Sequence, residues 1–163
     1  KECENFVKSC RYPPKGNRSF GPTRAIIYAG SDYSKYANEE IITMAMIETK
    51  EAVENLDEIL AVKELDAIYV GPADLSLSYG KNPGFDVEDS PVYEVIEKIV
   101  KKAKENNIHA GIHVGSTSYA SKMIKLGYTF VSILSDGRIM TQATENILKE
   151  IKKDDIQTKS STY

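Results

Sequence analysis

Short runs of consecutive apolar residues alternate along the chain with longer segments in which apolar residues recur every three or four positions. The runs predict buried β-strands, because parallel strands that are covered on both faces are apolar along their whole length. They lie at residues 41–47, 67–70, 108–114 and 129–134. The longer segments predict amphipathic helices. They lie at residues 51–62, 92–105, 116–126 and 136–152.

The predicted strands and helices follow one another in strict order from residue 41 to residue 152, which gives four consecutive βα units. This regularity favours a (β/α)8 barrel over a doubly wound sheet, so the predicted fold class is α/β. Gly127 and Asp136 are the expected helix C′ and N-cap residues. A complete barrel takes about 250 residues, so four units amount to half of one. Because a half barrel leaves two sheet edges open, we expect a fragment or one half of a pairing assembly.

Three segments flank or precede these units. Residues 1–11 predict the end of a helix from a preceding unit, which the Pro-Pro pair that follows brings to a stop. Residues 22–40 carry several Tyr, Gly and Ser residues and are predicted to form a barrel-top loop or an interface element. Residues 153–163 are polar and are predicted to form a C-terminal tail, so that residues 1–152 make up the partial barrel domain.

Composition excludes several classes of function. The chain has 163 residues with a net charge of −3, which argues against a nucleic-acid partner, since phosphate binding needs clustered Lys and Arg. No apolar run approaches the roughly 18 residues of a membrane helix. No signal peptide is recognisable, and we expect a cytoplasmic protein that does not bind membranes. Cys3 and Cys10 lack the spacing of a metal or disulfide motif and are expected to be reduced thiols.

Two carboxylates follow two neighbouring predicted strands, close to the points where those strands end. Glu48 follows the first strand, and Asp74 comes shortly after the second. Adjacent parallel strands lie about 4.8 Å apart and barrel active sites lie at their carboxyl-terminal face, so the two side chains can converge on one ion. Two carboxylates with water and substrate oxygens suit Mg²⁺ or Mn²⁺. The spacing equally allows each carboxylate to cap the helix that follows its strand.

The residues that link the second strand to Asp74 indicate a second kind of binding. Gly71 lets the backbone approach a ligand closely, and Pro72 has no N–H group. The N–H groups of Ala73 and Asp74 are therefore candidates for receiving a carboxylate near a helix N-terminus. An ordinary strand-to-loop turn has the same sequence features, and the Gly-Pro pair alone does not decide between the two.

Three segments resemble motifs of the HpcH/HpaI aldolase family and occur in that family's order. Residues 11–18 (RYPPKGNR) resemble its RYPPxGxR segment, and residues 47–59 (IETKEAVENLDEI) resemble its IETxEAVxNLDEI run. Residues 70–76 (VGPADLS) resemble its VGPxDLS motif, and the similarity extends to about residue 152. The resemblance implies the C-terminal half of a TIM barrel of the phosphoenolpyruvate/pyruvate-domain type.

The resemblance also implies a chemistry. In that family the residues matching Glu48 and Asp74 bind a divalent metal, Mg²⁺ or Mn²⁺, with Co²⁺ as a further option. The implied substrate-binding residues of this segment are Gly71, Pro72, Ala73, Asp74 and Leu75. The implied enzyme is a class II aldolase, a lyase that cleaves 4-hydroxy-2-keto acids to pyruvate and an aldehyde through a metal-bound enolate. Lys50 is then a solvated charge at a helix start, not a Schiff-base lysine.

This sequence departs from the family pattern in three respects. The family's catalytic Arg and His lie in the first half of the barrel, which this chain lacks, so no catalytic residue is assigned within it. Met46 stands where many members have Gln, two residues before the metal-binding Glu. Ser19 stands where Gly often follows the loop Arg. Neither change removes a metal ligand.

The two histidines, His109 and His113, are predicted to share one face of the third strand, because side chains alternate along a strand. A zinc site is disfavoured, since no third ligand lies nearby in the sequence. His113 is nearer the catalytic end of the strand and is a candidate for lining the aldehyde pocket. A structural or surface role is the alternative.

Two other functions stay open. Citrate-lyase-β-like and malyl-CoA-lyase-like enzymes are related and act on CoA esters, although the RYPP and GPxDLS motifs favour aldolases of small acids. A truncated barrel that binds metal without turnover is the second alternative. The resemblance also implies a homo-oligomer, commonly a trimer or a hexamer.

Overall fold

The computed structural model describes the backbone of residues 1–160 and the side chains of residues 1–152. The helices are α1 (Glu2–Cys10), α2 (Thr23–Ala29), α3 (Tyr33–Glu40), α4 (Lys50–Glu54), α5 (Leu56–Leu60), α6 (Pro72–Ser78), α7 (Val92–Glu105), α8 (Thr117–Leu126) and α9 (Asp136–Ser160). The strands are β1 (Met44–Ile47), β2 (Ala67–Val70), β3 (His109–Val114) and β4 (Phe130–Ile133). They fall into two compact units, Lys1–Ser132 and the residues from Ile133 onward.

The four strands form one sheet in chain order, and the β1–β2 and β2–β3 pairs are parallel. Ile47 lies beside Val70 in the register, and Val70 lies beside Ile112. All three side chains are fully buried. Helices connect consecutive neighbouring strands, and this arrangement confirms the predicted α/β fold of successive βα units.

The core of the first unit lies between one face of the sheet and the helices that follow the strands. Helix α7 contributes most to it, because its apolar residues recur on one face. The buried residues of α7 are Val92, Ile96, Ile99, Val100 and Ala103. The opposite face of the sheet is open by comparison: Met46 and Phe130, which lie on it, are each 52% exposed. In a closed barrel that face would line the interior.

The first strand begins later than the apolar pattern predicted, because a polar cluster holds the residues before it. Buried Arg11 donates to the Ile41 carbonyl and lies 3.1 Å from an Asp66 oxygen. The Thr43 N–H donates to the same carboxylate at 2.7 Å. The Ile41 carbonyl and the Thr43 N–H are thereby held by side chains, although the Thr43 carbonyl still accepts from the Ala67 N–H at 3.0 Å. Arg11 therefore has a structural role at the amino-terminal end of the sheet, opposite the edge that carries Glu48.

The predicted helix at residues 51–62 is wrong as a single element, because α4 and α5 meet at Asn55. The Asn55 side chain donates to the Glu51 carbonyl at 2.8 Å and its backbone leaves the helical region. Asparagine commonly interrupts helices in this way, since its amide competes for backbone groups. Helices α7 and α8 match their predictions, and Gly127 ends α8 with a φ of 121°.

Three helices were not predicted. Helix α6 begins in a Gly-Pro pair that indicates a turn, yet proline also suits the first position of a helix. Helices α2 and α3 occupy most of residues 22–40. Tyr33 and Ala37 of α3 pack with Tyr12 beside Ile41, just before β1. The barrel-top prediction is therefore wrong for α3, which lies at the amino-terminal end of the sheet.

In the second unit, α9 extends to Ser160, beyond the predicted end at residue 152. Asp136 is the first helical residue instead of the predicted N-cap, because Ser135 precedes the helix and its hydroxyl oxygen accepts from the Arg138 N–H at 3.4 Å. The last residues of the predicted tail, 161–163, lie outside the described residues. Within the described chain, no helix has the combination of length and apolarity that crossing a membrane demands.

Candidate active site

Three residues lie one position beyond the buried row of Ile47, Val70 and Ile112, towards the carboxyl ends of the strands. Glu48 follows Ile47, Gly71 follows Val70, and His113 follows Ile112. Because successive side chains on a strand point to opposite faces, this second row lies on the open face of the sheet. The predicted metal ligand Glu48 and the predicted pocket residue His113 therefore flank Gly71 in one layer.

Gly71 is needed here for space. A Cβ atom on Gly71 would lie 2.9 Å from Glu48 Oε2 and 3.3 Å from Glu48 Cβ. The backbone of Gly71, with φ −99° and ψ 88°, is open to other residues, so the constraint is contact and not conformation. The Glu48 carboxylate therefore leans over the Gly71 backbone at the start of α6.

Helix α6 brings the rest of the predicted segment to this edge. Gly71 is its N-cap residue, Pro72 is its first helical residue, and Leu75 is fully buried. The Leu75 N–H already donates to the Gly71 carbonyl at 2.9 Å. The N–H groups of Ala73 and Asp74 belong to the first turn, where a helix supplies no acceptor of its own. The segment thus offers two backbone donors next to a carboxylate.

Helix capping by Glu48 and Asp74, the alternative that the spacing allowed, is wrong. Helix α4 is capped by Thr49, whose hydroxyl oxygen accepts from the Ala52 N–H at 3.1 Å. Helix α6 has no side-chain cap. Among residues 1–152, neither carboxylate takes part in a hydrogen bond or an ion pair with another side chain. Both side chains are therefore available to a ligand.

These two carboxylates have the chemistry of a partial site for a hard divalent cation. Oxygen donors at the carboxyl ends of adjacent strands suit Mg²⁺ or Mn²⁺, which retain water or substrate oxygens in their remaining positions. Within the described residues no group of three or more His, Cys, Asp or Glu side chains gathers around a common point. The donor set fits a cation held by two protein ligands and completed by substrate and water, and it does not fit a closed structural zinc site.

The two histidines serve different ends of β3. His109 is exposed, and its Nδ1 lies 3.4 Å from the Thr129 hydroxyl. His113 is half-buried, and its Nδ1 lies 2.9 Å from Ser132 Oγ. The Phe85 ring packs against the His113 ring, with 4.8 Å between the ring centroids. The Ser132 hydroxyl also hydrogen-bonds the Tyr69 hydroxyl. We refer to Tyr69, Ser132 and His113 as the strand-bridging triad.

The triad was missed by the sequence interpretation, apart from His113. Tyr69 and Ser132 are two strands apart and are joined only through the sheet order, which no local pattern reveals. The one sequence feature that could have indicated them is the alternation of side chains between the two faces of a strand. Tyr69 and Ser132 each lie next to a buried or half-buried apolar residue, so they belong to the open face. Lys50 is an exposed charge at the start of α4, as predicted: its ammonium group is 3.9 Å from a Glu54 carboxylate oxygen and its side chain is 61% exposed.

A groove of about 750 Å³ runs along the free edge of β1 and reaches the Glu48 end of the strand. Its lining includes Phe6, Met44, Met46, Glu48, Ala52 and Ile59. The groove combines an apolar floor with unpaired strand backbone. These are the features of a sheet edge that another strand or helix can cover.

A model of the HpcH/HpaI aldolase/citrate lyase family matches residues 1–143. The hydroxypyruvate/pyruvate aldolase of Rhizorhabdus wittichii is 34% identical over 151 residues, which are 93% of this chain and 60% of that enzyme. The 4-hydroxy-2-oxo-heptane-1,7-dioate aldolase of Escherichia coli is 32% identical over 149 residues, which are 88% of this chain and 55% of that enzyme.

The likeness extends to three dimensions. The crystal structure of an HpcH/HpaI aldolase/citrate lyase family protein from Burkholderia cenocepacia superposes with a TM-score of 0.84 at 25% identity. The superposition covers 93% of this chain and 60% of that protein. It confirms the predicted partial TIM barrel. The chain spans 55% to 60% of the length of these relatives.

Proposed function

The chain belongs to the HpcH/HpaI aldolase/citrate lyase family, and we propose that the protein carrying it is a metal-dependent aldolase. The proposed reaction is the cleavage of 4-hydroxy-2-keto acids to pyruvate and an aldehyde. The observation that carries the proposal is the Glu48 carboxylate, which leans over Gly71 beside the first turn of α6. That arrangement sets the Glu48 carboxylate, a candidate metal ligand, next to the backbone N–H groups of α6. A 2-keto acid needs a metal ion for its keto oxygen and hydrogen-bond donors for its carboxylate.

In this proposal Glu48 and Asp74 would hold the divalent cation, Mg²⁺ or Mn²⁺. When bound, the cation supplies Lewis-acid stabilisation of negative charge on the keto oxygen of the substrate. The N–H groups of Ala73 and Asp74 donate to the substrate carboxylate, and this fixes the orientation of the keto acid. Gly71 leaves room above its Cα for the Glu48 carboxylate, and buried Leu75 anchors the helix that carries the two donors.

The cleavage itself moves one proton and one electron pair. The 4-hydroxyl group of the substrate loses its proton, the C3–C4 bond breaks, and its electron pair passes to the enolate of pyruvate while C4 becomes the aldehyde carbon. The enolate is then protonated at C3. Residues of this chain bind and orient the acid end, and proton transfer is assigned to groups outside it. The proposal therefore concerns the whole protein and not the 163 residues alone.

We further propose that the chain by itself binds metal without turnover. The groove along the free edge of β1 and the 55% to 60% coverage of the relatives support this. Removing a preorganised oxyanion donor costs about 10²–10³ in kcat, and an open site also loses substrate positioning. Restoration of activity on adding a separately expressed N-terminal half would support the proposal. Turnover by the chain alone at the rate of an intact relative would contradict it.

A homo-oligomer, a trimer or a hexamer, in the cytoplasm completes the proposal. Its support is a set of large apolar side chains that are mostly exposed on the segment before β1. They are Phe20, Ile27, Tyr28 and Ile42. Large exposed apolar side chains are common at contact surfaces between subunits. Sedimentation equilibrium of the full-length protein tests this, and a monomer at micromolar concentration would refute it.

The test of function is a pyruvate-release assay on the full-length protein with a 4-hydroxy-2-keto acid and Mn²⁺. We expect EDTA to abolish activity and added Mn²⁺ to restore it. The Glu48→Gln variant should lose about 10²–10³ in kcat/KM, since it loses an anionic ligand to the cation. Glu51→Gln changes an exposed carboxylate in the next turn and should leave the rate unchanged. Irreversible inactivation by borohydride in the presence of pyruvate would contradict the proposal, because it would indicate a lysine Schiff base.

A further inference from the structure

The strand-bridging triad joins three strands on the open face of the sheet, and its geometry depends on a glycine. Tyr69 lies on β2 and Ser132 on β4, so the Tyr69 side chain must cross β3 to reach Ser132. It crosses at Gly111, where a Cβ atom would lie 2.7 Å from the Tyr69 ring and 3.1 Å from the Phe130 ring. The missing side chain at Gly111 therefore makes the contact between Tyr69 and Ser132 feasible.

The hydrogen-bond order within the triad favours one tautomer of His113. The Ser132 hydroxyl has a single proton and lies between Tyr69 Oη and His113 Nδ1. If Tyr69 donates to Ser132, then Ser132 donates to Nδ1, and the neutral imidazole carries its proton on Nε2. The reverse order would leave the Tyr69 proton without a protein acceptor among residues 1–152. The first order gives both hydroxyl protons of the triad an acceptor within the triad.

The ring of His113 is held on two sides. Ser132 fixes Nδ1, and Phe85 packs edge-on against the ring with an interplanar angle of 76°. Phe85 comes from the loop that also supplies Asp86, whose carboxylate accepts from the Gly115 N–H at 2.6 Å. Among the described residues, none hydrogen-bonds Nε2 of His113. Its N–H group is thus oriented by the protein and available to a ligand.

We propose that His113 is a specificity-determining residue for the aldehyde component. Its Nε2–H donates a hydrogen bond to an oxygen substituent, a hydroxyl or a carboxylate, on the aldehyde that is released or added. Tyr69 and Ser132 are positioning residues that fix the tautomer and the ring orientation. This inference rests on the proposed aldolase function, because His113 lies in the same row as Glu48 with only Gly71 between them.

The experiment compares two aldehydes of equal size in the synthetic direction with pyruvate and Mn²⁺. Glycolaldehyde and propanal differ only by a hydroxyl in place of a methyl group. We expect the full-length protein to prefer glycolaldehyde by about tenfold in kcat/KM, the effect of one oriented hydrogen bond. His113→Leu should abolish the preference, and Ser132→Ala and Tyr69→Phe should reduce it. His109→Gln alters the exposed histidine at the far end of β3 and should keep the preference.

A second experiment measures the tautomer of His113 by NMR in the absence of turnover. The ¹⁵N resonances of the His113 ring, assigned by their loss in His113→Leu, should show the Nε2–H tautomer in the unaltered protein. Ser132→Ala should shift them towards a mixture of tautomers, because Nδ1 loses its partner. A purely structural role for Ser132 would leave the tautomer unchanged. An Nδ1–H tautomer in the unaltered protein would overturn the proposal.

A third readout separates this inference from the function on which it rests. Exchange of pyruvate C3 protons with deuterated solvent reports enolate formation without any aldehyde. We expect exchange in the unaltered protein, and measurable exchange in His113→Leu would show that the variant is folded and forms the enolate. Exchange combined with equal kcat/KM for the two aldehydes would overturn this inference alone. Absence of exchange in the unaltered protein would overturn the proposed function and this inference with it.

Discussion

The Gly71→Ala substitution places a methyl carbon too close to the Glu48 carboxylate. The added carbon would be 2.9 Å from Glu48 Oε2, whereas ordinary contacts begin near 3.4 Å, so the carboxylate must move by about 0.5 Å. A displacement of about 1 Å in an active site can lower the rate about 10²-fold. Half that displacement predicts a loss of about tenfold in kcat/KM, or about 1.4 kcal/mol in the activation barrier.

The same substitution should have little effect on stability. The closest atom is the end of a flexible side chain, and the backbone angles at Gly71 suit alanine. Replacing glycine by alanine at a compatible position stabilises proteins by about 0.4–1 kcal/mol through the unfolded state, which offsets the new contact. We therefore expect the free energy of unfolding to change by less than about 1 kcal/mol while activity falls.

The assay pairs pyruvate release with urea denaturation and Mn²⁺ titration of the full-length protein. Gly84→Ala is the matched control, because nothing lies within 4 Å of a Cβ atom at Gly84. Gly71→Ala should weaken Mn²⁺ binding and lower kcat/KM, and Gly84→Ala should change neither. Unchanged metal affinity and unchanged kcat/KM in Gly71→Ala would refute the placement of Glu48 as a ligand beside Gly71.

Three further predictions concern stability. Arg11→Met should lower the free energy of unfolding by about 2–3 kcal/mol in urea titrations, because it removes the charged donor from Asp66 and the side-chain donor from the Ile41 carbonyl, although Thr43 still donates to the partly exposed Asp66. The pKa of Asp66 is below its ordinary 3.8: burial raises it, but hydrogen bonds from Thr43 and Arg11 outweigh burial. This contribution to stability is complete above pH 3.8 and is lost as pH falls through the lowered pKa, so Asp66→Asn should weaken the dependence of stability on pH below 3.8. Thr49→Ala removes the N-cap of α4 and should cost about 1 kcal/mol by thermal unfolding, and an unchanged Tm would contradict the capping role.

The strands and the longer helices could be predicted from the sequence because the strands are apolar on both faces and the longer helices repeat apolar residues along one face. The run at residues 67–70 and the periodic segment at residues 92–105 have the predicted bounds. Errors arose where side chains compete with backbone hydrogen bonds. Asn55 divides one predicted helix, and Arg11 with Asp66 shortens the first strand. Such competition depends on contacts between residues far apart in sequence, which a local pattern does not contain.

The candidate site was predicted in part for a similar reason. Glu48 and Gly71 could be placed at the strand ends from local pattern and motif, and the structure brings them into contact. Asp74 lies on the first turn of α6, whose bounds were not predicted because the Gly-Pro pair before it is also typical of a turn. The link from Tyr69 through Ser132 to His113 required the order of the strands and the gap at Gly111.

The most direct test of the proposed metal site is an anomalous difference map from crystals of the full-length protein soaked with Mn²⁺ and pyruvate. We predict one Mn²⁺ peak with an oxygen of Glu48 and an oxygen of Asp74 each within about 2.2 Å, close to the metal–oxygen distance of an octahedral site. The pyruvate carboxylate should lie within hydrogen-bonding distance of the Ala73 and Asp74 N–H groups. A Mn²⁺ peak elsewhere, or a separation of more than about 8 Å between the two carboxylates with pyruvate present, would show that Glu48 and Asp74 do not share a metal ion.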